Sequence, residues 1–266
     1  LIGFGLVAVL GASLQGGFDS LYLLRFAEAR EVFAQYEREH PESPMGPVGE
    51  AASYLFEEFE KDGVLTTEYF LDDDRLLGGI KGKPDAGRMA AFHRAIGRTR
   101  GLAVQRLRKN PNDAEGLLAM TMSAGMEADA AGIFEKKQVE ALRRIREADE
   151  LAKRLLAVAP GQGDAYVALG AASYIVGSMP LYKRIVVWVG GVNGDRQKGM
   201  AELEMASVLG HYLKAYAKIL LALACLREGQ GERGMGLMDE LVREYPASPV
   251  FLRERAKFEG VVRGKK

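Results

Sequence analysis

Several stretches of this 266-residue chain have the composition of chemical sites, and each is tested first by its spacing. Gly229-Gln230-Gly231-Glu232-Arg233-Gly234 spells the dinucleotide fingerprint, whose glycines let a strand-to-helix turn approach a pyrophosphate. It follows the helical run Ile219 to Glu228 where a strand is required, so it reads as a turn between helices. Gly78 to Lys83 lacks the spacing of a triphosphate loop, and Pro84 stands where that loop needs Ser or Thr. Gly190 to Gly199 is a third glycine-rich turn, with Asp195 placed to cap the helix that follows. His40, His93 and His211 are far apart, and none has a second ligand at helical spacing, which argues against a metal site or a histidine base. Asp72-Asp73-Asp74 gathers carboxylates that a divalent cation accepts, but without the alternating spacing and terminal Glu of a calcium loop. It reads as a solvated loop or a helix cap; the alternative is a metal or small-ligand site, in a sensor or an enzyme, completed by His93 or Arg88. No catalytic, cofactor-binding or metal-ligating residue is assigned.

Recognition chemistry is better represented. Tyr174, Tyr182, Lys183, Arg184, Trp188, Arg196 and Tyr212 gather in one stretch, and Trp, Tyr and Arg are favoured binding anchors. The competing reading places Trp188 and most of the tyrosines in a core between repeats.

The elements that must position these residues are helical. With 48% apolar and 27% charged residues the chain can bury a large core. Its 36 basic and 36 acidic side chains cancel, so no basic field exists to gather nucleic acid. The single cysteine, Cys225, lies in an apolar run and forms neither an intrachain disulfide nor a zinc cluster. Residues 1–14 are uncharged and end at Gly11, Ala12 and Ser13, like a signal-peptide core and its cleavage site. Residues 1–17 are therefore expected to be a signal peptide or N-terminal anchor, with residues 18–266 the folded domain. The protein is expected to be exported, periplasmic or envelope-associated, or cytoplasmic if the segment is not a signal, with any membrane attachment through the N-terminus only.

Strand patterns are scarce. Helical periodicity predicts helices near 18–39, 47–61, 85–109, 112–130, 133–158, 163–177, 180–189, 195–208, 211–228, 231–244 and 248–261. Short connections require antiparallel neighbours. Residues 62–84 are predicted to be a partly ordered loop crossing an edge of the stack.

Four helices end at a proline: Pro41, Pro111, Pro160 and Pro246. Aligned on three of these, a repeat emerges. Twelve residues before the proline stand Ala29, Ala148 and Gly234; eight before, Phe33, Ala152 and Met238; five before, Tyr36, Leu155 and Leu241. Before Pro111, Thr99 and Ala103 fit but Arg106 breaks the pattern, with Leu107 taking its place by a one-residue shift. The 70 residues from Pro41 to Pro111 make about two periods of a 34-residue unit.

These residues resemble the tetratricopeptide-repeat superfamily. Tyr166, Leu169, Gly170 and Gly177 occupy the bulky, bulky, small and turn positions of that family's first helix, and Leu221, Ala222 and Gly229 repeat them. The segment Gly191 to Arg196 with Gly199, Leu203 and Tyr245-Pro246 is also similar to the tail of the mitochondrial outer-membrane inclusion-body-clearance family. The resemblance implies an all-α superhelix of helical hairpins, each lending the next the apolar contact that none makes alone. It also implies a concave surface carrying Asp164, Val167, Ala171 and Tyr174 from one unit and Tyr216, Ile219, Leu223 and Leu226 from another. The basic clamp of chaperone-binding members is absent from those positions. The function expected is a non-catalytic protein-interaction scaffold with an apolar and aromatic groove. Its candidate residues are Val167, Ala171, Tyr174, Tyr182, Arg184, Trp188, Tyr216, Ile219 and Leu223, and its occupant is an amphipathic helix of a partner or a helix of the same chain. A membrane-anchored structural part of an envelope assembly is the other alternative.

Overall fold

A computed structural model describes residues 13–72, 75, 78–179 and 194–264. The described residues form α1 (Leu14–Tyr22), α2 (Phe26–Glu39), α3 (Met45–Lys61), α4 (Thr67–Leu71), α5 (Ala86–Lys109), α6 (Ala114–Asp129), a π-helical turn (Ala130–Phe134), α7 (Gln138–Val158), α8 (Ala165–Ser178), α9 (Arg196–Leu209), α10 (Lys214–Arg227), α11 (Gly231–Glu244) and α12 (Pro249–Gly264). No strand occurs among them.

The proline punctuation makes four equivalent turns. At His40, Asn110, Ala159 and Tyr245 the backbone N–H closes a last bond onto the carbonyl four residues earlier, at Tyr36, Arg106, Leu155 and Leu241. The proline that follows drives each of these residues out of the helical region, to φ between −129° and −141°. The same residue's carbonyl then accepts from the N–H three residues on, at Ser43, Asp113, Gln162 and Ser248. A polar residue thus reaches the start of the next helix every time. At the second turn Asp113 accepts from the Gly116 amide at 2.7 Å and Arg106 folds back onto it at 2.9 Å, while Leu107 takes the apolar contact beside Gly116. The register shift expected at Pro111 is therefore real, and the arginine that breaks the pattern has a use.

Helices alternate between two layers. α1, α3, α6, α8 and α10 touch in series on the inside, with α2, α5, α7, α9 and α11 each packed between consecutive inner members. The repeat residues Ala29, Ala148, Phe33, Ala152, Met238, Leu155 and Leu241 are all buried on the outer helices facing inward. At the α8–α9 crossing two glycines face each other: a Cβ on Gly170 would lie 2.9 Å from the Gly199 carbonyl, and one on Gly199 would lie 2.8 Å from the Gly170 carbonyl. Only glycine permits that approach.

The two ends of the array meet. The Tyr22 ring of α1 stands edge-on to Tyr245 at 5.5 Å and stacks on Phe251 at 6.3 Å. The Ser248 hydroxyl donates to the Tyr22 carbonyl at 2.7 Å, and the Tyr245 hydroxyl donates to Asp19 at 2.9 Å. The terminal hairpins of a solenoid need caps for their apolar faces; here each caps the other.

Three expectations change. The helix predicted over 18–39 is two helices, broken where Leu24 takes φ 58° and the Arg25 amide bonds back to the Ser20 carbonyl. The helix predicted from 133 begins at Gln138, because α6 runs into the π-helical turn and Lys136 takes φ 56° before α7. The segment 62–84 does not skirt an edge: it carries α4 across the inner face, with Val64 and Tyr69 each 2% exposed. α1 starts at Leu14, which is buried, so residues 14–17 belong to the packed body. Residues 1–12 and the helix predicted over 180–189 lie outside the described residues.

Candidate functional site

The inner helices surround a cavity of about 280 Å³. α1 contributes Phe18 and Leu21, α3 Leu55 and Phe59, α6 Met122 and Met126, α8 Val167 and Ala171, α10 Ile219 and Leu223, and α12 Phe251 and Phe258. The segment carrying α4 closes the remaining side with Leu65, Tyr69 and Phe70.

Polar contacts hold this strap in place. Glu254, buried on α12, accepts from both the amide and the hydroxyl of Thr67, at 2.7 and 2.8 Å. Arg253 pairs with Glu60 at 2.7 Å, Lys257 with Glu68 at 2.8 Å, and Arg227 donates to the Phe70 carbonyl at 2.5 Å. Gly63 and Gly79 bracket the strap in the left-handed region, at φ 69° and 73°. At Gly79 a Cβ would lie 2.4 Å from the Ile133 carbonyl, so only glycine lets the chain lie against the π-helical turn there.

Of the candidate groove residues, Val167, Ala171, Tyr216, Ile219 and Leu223 are brought together on the cavity wall. Tyr174 faces an adjoining small pocket beside Phe70 and Arg227, and its hydroxyl lies 3.2 Å from Glu228, which also meets Arg196 at 3.3 Å. Leu226, expected on the same face, is 1% exposed and belongs to the core. Tyr182, Arg184 and Trp188 lie outside the described residues.

The cavity is acidic where it is polar at all. Among the described residues its lining holds three carboxylates, Asp129, Asp164 and Glu254, and no Lys, Arg or His. Asp164 is capped by the amides of His211, Tyr212 and Leu213, at 2.9, 3.2 and 2.9 Å. Burial raises its pKa against the three amides that pull it down. Glu254 is bonded to the strap. Asp129, by contrast, has no hydrogen-bond or ion-pair partner among the described residues. It stands where α6 passes into the π-helical turn. Part of its surface stays uncovered along the cavity that it lines, and desolvation pushes its pKa up to about 7. The Tyr69 hydroxyl is likewise buried without a partner. Burial, with Asp129 as the nearest charge, raises the Tyr69 phenol to about 12 and Tyr216 further still.

Sequence reasoning missed Asp129 and Tyr69. A signal existed for Asp129: it follows Met126 by three residues and Met122 by seven, so a carboxylate sits on an apolar helical stripe. Tyr69 had none, since it lies in a segment without periodicity.

The described parts of the other stretches form turns and helix caps. Gly229 takes φ 75° in the turn from α10 to α11, with the Gln230 amide closing onto the Cys225 carbonyl, so the fingerprint-like run follows a helix. Asp195 caps α9 through the Lys198 amide at 3.0 Å, as its position predicts. Asp72 accepts from the Arg75 amide at 3.1 Å, and Asp73 and Asp74 lie outside the described residues. The two helpers proposed for that loop are engaged elsewhere: Arg88 pairs with Glu58, and His93 with Glu135 at 2.8 Å.

No family model and no curated protein matches this sequence. Among solved structures the chain is similar to a thermophilic TPR protein of Thermus thermophilus. The identity is 14% and the TM-score 0.48, over 94% of this chain and 96% of that one. The architecture described above stands on its own hairpins and takes nothing further from this likeness.

Proposed function

We propose that the protein is a non-catalytic binding scaffold whose concave, apolar face receives a segment of a protein partner. One observation carries this: side chains from successive hairpins converge on a cavity of about 280 Å³ that they leave unfilled. Close packing is the rule in protein interiors, and an apolar void costs stability unless something occupies it. Of the nine candidate groove residues, Val167, Ala171, Tyr216, Ile219 and Leu223 line it. The apolar lining suits the nonpolar side chains of an amphipathic segment, and its described residues include no basic clamp for a carboxylate terminus.

A photocrosslinking side chain placed at Ile219 or Leu223 is expected to form a protein-sized adduct in native cells. The same group at Val139, which is 84% exposed on α7, is the control. Adducts from Val139 alone, or from neither helix, contradict the reading.

A second reading is favoured by the strap. With α4 in place the cavity is walled on the side where a helix would enter, and its volume sits near the lower edge of the few-hundred-Å³ range of small-molecule sites. On this reading the scaffold holds a small apolar ligand beneath the strap. Uptake of such molecules with no protein adduct at Ile219 would favour this reading over the first.

A further inference from the structure

The geometry points to a ligand site in which Asp129 anchors the ammonium head of a small amphipathic amine whose hydrocarbon chain lies along the apolar cavity. This rests on the second reading above, that the cavity beneath the strap is a ligand site, and adds the chemistry of the ligand.

Four observations converge. First, Asp129 lines the cavity with no partner among the described residues, whereas Asp164 and Glu254, the other carboxylates there, are satisfied by three amides and by Thr67. A buried carboxylate without a counter-charge is costly, and a cation supplied by a ligand removes that cost. Second, the Tyr69 hydroxyl is buried without a partner, and Tyr69 is only 2% exposed. Tyr216 lines the same cavity, so two phenols share its wall with Asp129. An ammonium group has three donors, which matches one carboxylate and two hydroxyl acceptors. Third, the lining holds three carboxylates and no Lys, Arg or His among the described residues, so a fatty acid or phosphate would meet like charge there. Fourth, Asp129 stands where α6 passes into the π-helical turn Ala130–Phe134. Single π turns inside helices recur at functional sites because they redirect one side chain out of register. The rest of the described wall is mostly Leu, Ile, Val, Ala, Phe and Met, which favours hydrocarbon.

The test is calorimetric titration of the whole protein at pH 8 with three probes of one chain length: 1-octylamine, 1-octanol and octanoate. Octylamine is expected to bind about tenfold more tightly than octanol, as a charge-assisted contact replaces a neutral one, and octanoate more weakly than either. Asp129→Asn is expected to abolish the preference for the amine while leaving octanol affinity unchanged, and the retained octanol binding shows that the variant is folded with its cavity intact. Equal affinities for the three probes in the wild type, or an amine preference that survives Asp129→Asn, overturn the anchor while leaving the cavity as a site. No binding of any probe overturns the cavity as a small-ligand site, and the anchor with it.

Discussion

Gly170→Leu is expected to destabilise the protein by about 3 kcal/mol or more, because it forces apart two helices that touch backbone to backbone. The first added carbon alone would lie 2.8 Å from the Leu203 amide nitrogen and 2.9 Å from the Gly199 carbonyl. Those atoms belong to the α9 backbone, which cannot rotate aside as a side-chain tip does, so the crossing of α8 on α9 must open. That crossing supports the wall carrying Val167 and Ala171, and the damage is expected to reach the cavity. For a chain of this length the cost corresponds to roughly 6–12 °C in Tm. The control is the same substitution at Gly236, an exposed position within α11 with nothing within 4 Å of a new Cβ. There, removing glycine from a helix interior is expected to stabilise by up to about 1 kcal/mol. Thermal melts of the two variants should move in opposite directions. Equal and small shifts would mean that α8 and α9 do not cross at Gly170.

Asp129→Asn is expected to stabilise the ligand-free protein, and by far more at pH 8 than at pH 4.5. The carboxyl is raised from 3.8 to about 7 by desolvation. Between those values the folded chain holds a proton that the unfolded chain has released, so this site's contribution to stability falls as pH rises from about 4 to about 7 and is flat above. Asn carries no charge at either pH and escapes the penalty. The full window is worth on the order of 2–4 kcal/mol. The other ionisable side chains in the described lining, Asp164, Glu254, Tyr22, Tyr69 and Tyr216, are common to both proteins, so the difference between the two pH profiles isolates Asp129. Urea unfolding of both proteins at the two pH values measures it. Parallel profiles would show that Asp129 reaches bulk water.

The contrast between these two sites marks how far sequence pattern reaches. Gly170 was legible because its neighbours Tyr166, Leu169 and Gly177 share one helical face with it, and helix periodicity turns spacing into geometry. The proline turns were legible for the same reason: what Pro41, Pro111, Pro160 and Pro246 impose acts within four residues. Five of the nine candidate groove residues, all of them at helical spacing, line the cavity. What depends on distant contacts was not legible. No glycine or proline marks the break at Leu24; it is held by packing against the core. The strap over residues 62–80 is fixed by Glu254, 187 residues beyond Thr67, and no spacing rule connects the two. The mutual capping of the chain ends through Tyr22 and Tyr245 is likewise visible only once the superhelix is closed. Asp129 combines both cases: its place on an apolar helical stripe was a local signal, and the cavity that it lines is built by distant elements.

Titration with N-phenyl-1-naphthylamine, a dye that fluoresces in apolar surroundings, tests most directly whether the stacked hairpins exist to hold an occupiable apolar site. The wild type is expected to take up dye at one saturable site. Ala168→Phe and Ala171→Trp, which build side chains into the cavity from α8, are expected to lose that site while keeping the helical circular dichroism of the wild type. Dye uptake unchanged in both variants, or none in the wild type, would contradict the account.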